Sequence, residues 1–217
     1  MSRVSPADDP TPSGRSQGLV LAAGPRPEVD TWVAASIVPV TVVPLQGWVA
    51  VVTRGPSRAG SPYDDGGLVN ACRALSARAA PGLGFFEIDG RALVTVHAPG
   101  RRRRVRWVVW EPEQGLLRPP GLELAGPSEL VRLAGAEAPV RDELVDLLHE
   151  TRVRPARMLQ AVMATLGLPG TRLLDDPAHA DTLPGAVRRD PDPQQVEWFE
   201  DAVRDSVRLR RELGVLS

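Results

Sequence analysis

Residues 84–110 read GFFEIDGRALVTVHAPGRRRRVRWVVW. Within them, residues 84–89 and 91–97 are two apolar runs rich in β-branched and aromatic side chains, divided by Asp89-Gly90. Both residues of that dipeptide accept positive φ, which a two-residue turn between twisted antiparallel strands requires. The stretch therefore predicts a hairpin. Residues 105–110 predict a third strand, entered through Ala98-Pro99-Gly100 and four consecutive arginines.

Working upstream, 23 residues between Asp30 and Arg54 carry no charge. That length would span a bilayer as a helix. Pro39, Pro44, Gln46 and Gly47 interrupt it, and its β-branched content suits strands. Two buried strands, residues 37–43 and 48–53, are predicted instead, and no membrane partner is expected. After a loop over 54–65, Asp64 or Asp65 suits a helix N-cap. Leu68, Cys72, Leu75 and Ala79 then repeat at helical spacing until Pro81-Gly82, which makes Cys72 a packed, inert thiol.

The expected fold class is α+β: a mostly antiparallel sheet of about five strands, one helix inserted after strand two, and a C-terminal helical region. Residues 1–30, with five prolines and a short apolar patch at 19–23, read as a disordered tail. Residues 31–125 form the sheet domain, and residues 126–217 form helices packed on or beside it. Pro127, Pro139 and Pro155 each open a helix, because proline at the first helical position forfeits no hydrogen bond. Their inward residues are Leu130, Val131 and Leu133; then Val140, Leu144, Leu147 and Leu148; then Met158, Leu159, Val162, Met163 and Leu166. Residues 171–193 read as a long loop with room for one turn of helix. A last helix, residues 193–213, aligns Val196, Phe199, Val203 and Val207.

Composition excludes more than it assigns. All 26 cationic residues are arginine. Without lysine there is no Schiff-base amine and no phosphate-loop or kinase-type lysine. A single cysteine forms no intrachain disulfide and no cysteine-rich zinc site. The skew toward Arg, Ala, Val, Pro and Gly fits a high-GC bacterial genome, and no secretory signal pattern is visible, so a cytoplasmic location is expected. Residues 1–125 hold 14 arginines and 11 acids, whereas residues 126–217 hold 12 arginines and 16 acids. Two such halves can dock on each other or present unlike surfaces.

Three constellations could carry chemistry. Arg101, Arg102, Arg103, Arg104 and Arg106 cluster on a hairpin whose guanidinium forks suit phosphate, with Trp107 or Trp110 available to stack a base. The plainer reading is a solvated hairpin tip, or a contact for an acidic partner or the chain's own acidic half. Asp175, Asp176, His179 and Asp181 lie within seven residues, though without the spacing of a known metal loop. The helix pair opened by Pro139 and Pro155 has helix-turn-helix length, but its first helix is acidic on the outside, which phosphate would repel. No nucleophile elbow or dinucleotide-binding glycine pattern occurs. No catalytic, cofactor or metal set is expected. The leading expectation is a non-enzymatic interaction or accessory protein with a protein partner. The alternatives are a nucleic-acid-binding protein using Arg101–Arg106, and an enzyme with an unrecognised site in which His97 would be the histidine best placed to line a cleft.

Overall fold

The computed structural model describes residues 16–100 and 104–213. Its elements in chain order are β1 (Gln17–Ala22), α1 (Arg26–Ala34), β2 (Val40–Leu45), β3 (Trp48–Thr53), α2 (Gly66–Cys72), β4 (Gly82–Ile88), β5 (Arg91–His97), β6 (Val105–Glu111) and β7 (Gly115–Leu117). They continue with α3 (Pro127–Ala134), α4 (Val140–His149), α5 (Pro155–Thr165), α6 (Arg172–Asp175), a 3-10 turn (Pro177–Thr182), β8 (Val187–Arg189) and α7 (Pro193–Glu212).

The fold is α+β with an antiparallel sheet, but the sheet has eight strands in the order β7-β6-β5-β4-β1-β3-β2-β8. The expected hairpin is present. β4 and β5 pair through Ile88↔Arg91, and Asp89 and Gly90 take φ of 49° and 71°. The two strands read from the charge-free stretch are β2 and β3, joined by Gln46-Gly47. Among the described residues no helix is long and apolar enough to cross a membrane.

Three expectations are corrected. First, residues 17–30, read as part of a disordered tail, hold β1 and the start of α1. β1 lies mid-sheet, hydrogen-bonded to β3 on one side and β4 on the other. Its Leu19 and Leu21 point to one face and Val20 and Ala22 to the other, so a short continuous apolar run is what a strand covered on both faces needs. Second, the one inserted helix is two: α1 follows β1, and α2 follows β3. Third, α2 stops at Cys72, and its buried side is Gly66, Gly67, Asn70 and Ala71 rather than the Leu68–Cys72 stripe. Leu68 and Cys72 are exposed, although the protein around Cys72 still pushes its thiol pKa up by desolvation.

Strand alternation sorts the core into two layers. Leu19, Leu21, Phe85, Val94, Val96, Val108 and Trp110 face α3–α6, meeting Leu130, Leu144, Leu148, Met158, Val162 and Met163. Val20, Val42, Val51, Phe86, Trp107 and Val109 face the other way, meeting Val29, Trp32 and Val33 of α1 and Ala71 of α2. The helices opened at Pro127, Pro139 and Pro155 thus turn the marked residues to the core, Val140 and Leu147 of α4 being only partly buried. α5 packs its Met158, Leu159, Val162 and Met163 side toward β4 and β5, while Arg157 and Ala164 face outward.

Candidate functional site

The arginine run occupies the β5–β6 connection. Arg101, Arg102 and Arg103 fall outside the described residues. The other two face acids. Segment 123–125 runs beside β6, with Trp107 N–H donating to the Glu123 carbonyl and Ala125 N–H to the Trp107 carbonyl, both at 2.9 Å. That pairing brings the Glu123 carboxylate to Arg104 and leads the chain into α3, where Glu129 accepts from Arg106. The Glu129 side chain is 12% exposed and also lies 3.7 Å from Arg132. Neither tryptophan is free to stack a base. Trp107 and Trp110 are buried on opposite sheet faces, and the Trp110 indole donates to the Glu150 carbonyl at 3.1 Å.

Charge also joins the two halves of the chain elsewhere. Arg54 meets Asp181 at 2.7 Å, and Arg58 meets Asp190 at 3.9 Å. Thr41 donates to the second oxygen of Asp181, also at 2.7 Å. The other members of the Asp175, Asp176, His179 and Asp181 cluster have partners of their own. Asp175 accepts from Gln160, Asp176 caps the 3-10 turn at His179 N–H, and His179 Nδ1 contacts Thr182 Oγ1. Among the described residues, no three His, Cys, Asp or Glu side chains converge as a metal site.

His97 is sealed in the core. Its Nδ1 accepts from Leu75 N–H at 3.3 Å, and its Nε2 lies 3.0 Å from Thr95 Oγ1. The neutral tautomer with its proton on Nε2 satisfies both contacts, and burial lowers its pKa to about 4. It therefore lines no cleft. An open cleft of about 460 Å³ does lie where β3 ends, lined by Thr53, Arg54, Asp64, Asp65 and Asp89 among others. Two of its groups already serve the fold: Asp65 accepts from Ser16 at 2.5 Å and caps α2 at Leu68 N–H, and Arg54 holds Asp181.

The remaining distinctive surface is α7. It starts well, with Pro193 in the first turn and Asp192 capping Gln194 N–H. Val196 and Phe199 pack on the α1/α2 side of the core, Phe199 sits edge-on to Tyr63 at 5.2 Å, and Glu200 accepts from Gly60 N–H. No residue of its twenty is buried. Trp198, Leu209 and Leu213 are 68%, 55% and 68% exposed. At 100° per residue they share one arc with Ala202, adjoining the Val196, Phe199, Val203 and Val207 stripe. The other half of the helix is charged and self-paired, through Arg204–Asp201, Arg208–Asp205 at 3.3 Å and Arg208–Glu212 at 3.9 Å. Helical spacing in the sequence marks the inner stripe, and the same periodicity places Trp198 and Leu213 on the adjoining arc. No known protein family, characterised protein or solved structure matches this chain.

Proposed function

We propose that this is a non-enzymatic interaction or accessory protein that engages a partner protein along α7. The observation that carries the reading is an amphipathic helix whose apolar half meets the core of the described residues at Val196 and Phe199, while Trp198, Leu209 and Leu213 stay exposed. The turns beyond Glu200 amount to a helix of roughly a dozen residues, a length that is marginal in water without tertiary packing. Large exposed aromatic and aliphatic side chains on one arc are the usual anchors of a helix-in-groove contact. A lysine-free, GC-rich composition supports a bacterial source, and a single cysteine suits a reducing compartment such as the cytoplasm.

The nucleic-acid alternative through Arg101–Arg106 is served less well. Arg104 and Arg106 already answer carboxylates, and the neighbouring indoles are buried. The test compares proteins captured from native cells by the parent chain and by a Trp198→Ser/Leu209→Ser variant. A partner held by the parent and lost by the equally folded variant is expected. Identical captures by the two chains would refute the reading.

A further inference from the structure

On the sheet face that carries α1 and α2, the segment between α2 and β4 folds back along α1 and leaves a cavity of about 480 Å³. Trp32, Arg73, Ser76 and Arg78 line it, with Glu28 and Thr31. The Arg73 guanidinium lies over the Trp32 ring, 4.2 Å from its centroid, and one of its nitrogens donates to the Trp32 carbonyl. The indole is fixed in turn, because its Nε1 donates to the Ala74 carbonyl at 2.9 Å. Among the described residues the other terminal nitrogen of Arg73, Nη1, is buried without a hydrogen-bond partner, and no carboxylate pairs with the guanidinium.

A cation taken out of water costs free energy unless an opposite charge or a full set of acceptors answers it. Stacking on Trp32 and one carbonyl answer only part of the fork. Burial lowers the Arg73 pKa to about 10, which still leaves it charged at neutral pH. Arg78 adds a second cation, mostly exposed and drawn only to Glu28 at 3.5 Å. Ser76 Oγ accepts from Ala79 N–H at 3.1 Å and keeps its own proton to donate. Arg73, Arg78 and Ser76 therefore line one cavity, and a planar guanidinium fork with an unpartnered N–H suits the paired oxygens of an oxyanion.

We propose that this cavity binds the oxyanion group of a small molecule, gripped by Arg73 on its Trp32 platform and completed by Arg78 and Ser76. Nη1 becomes available by a small rotation of the guanidinium against the ring, and the arriving anion takes Arg78 from Glu28. This inference stands apart from the partner surface on α7, and either can fail alone.

The test titrates the full chain with inorganic phosphate and, separately, acetate, at ionic strength held constant with sodium chloride. Thermal unfolding and calorimetry are the readouts. A saturable response with a dissociation constant on the order of 1 mM is expected for the better-fitting anion, and the two arms distinguish phosphate from carboxylate. Arg78→Gln should weaken it about tenfold, and Glu28→Gln, which removes the competing acid, should tighten it several-fold. Arg73→Met should abolish it; where that variant does not fold, the Arg78 and Glu28 pair decides the matter. The proposal is overturned if neither anion gives a saturable response above the chloride control. It is equally overturned if Arg78→Gln and Glu28→Gln bind like the parent.

Discussion

Acid should unfold this protein partly through His97. The imidazole is 3% exposed, and both its nitrogens are used in the neutral form. Its pKa stands at about 4 in the fold against an ordinary 6.5. An unfolded chain therefore takes up this proton near pH 6.5, whereas the folded chain resists until about pH 4. Between those values the unfolded state holds more protons, so stability falls as pH drops through the window and this contribution levels off below it. At about 1.4 kcal/mol per pKa unit, the displacement is worth about 3 kcal/mol. Urea unfolding of the parent and of His97→Gln at pH 7, 6, 5 and 4 isolates the effect, because the carboxylates titrate in both chains and cancel in the difference. The stability difference between parent and variant should change by about 3 kcal/mol across that range, in the direction that penalises the parent in acid. Parallel curves would show that His97 titrates as an exposed histidine and would refute the sealed-core assignment.

Two further outcomes follow from packing. A Cβ at Gly84 would lie 2.2 Å from Thr95 Oγ1 and 2.6 Å from the Phe86 ring. Gly84→Ala should therefore cost about 1–3 kcal/mol in equilibrium denaturation by forcing the residue beside His97 out of place. Trp198→Ser and Leu209→Ser should each change stability by less than about 0.5 kcal/mol in the same assay, because neither side chain is covered by the fold. A larger loss would mean that the arc packs on the protein itself.

What the sequence made legible followed from local rules. Asp89-Gly90 marked a turn that its backbone angles confirm, and prolines marked helix starts that α3 and α5 place at their first residues. The misses have physical causes. β1 is short and apolar on both faces, so it shows no alternation, and its Gly24-Pro25 flank resembles the proline-rich residues before it. β7 and β8 have three residues each, too few for any period. α2 buries Gly66 and Gly67 because a Cβ there would strike the Gly55 carbonyl at 2.2 Å and Ser16 at 2.5 Å. Close backbone approach, rather than hydrophobicity, selects that face, and apolar periodicity pointed to the wrong side. The acids that meet Arg104 and Arg106 lie 19 and 23 residues away, and only the pairing of segment 123–125 with β6 brings them near. Trp32 and Arg73 stand 41 residues apart, and nothing in either neighbourhood announces their contact.

The proposed interaction surface is tested most directly by site-specific photo-crosslinking in native cells. A benzophenone side chain is placed at Leu209, on the exposed apolar arc, and in a second chain at Arg204, on the self-paired charged side. A discrete adduct with one partner protein from position 209, and none from position 204, is the predicted result. No adduct at either position, or the same adducts at both, would contradict the claim that the apolar half of α7 is where this protein does its work.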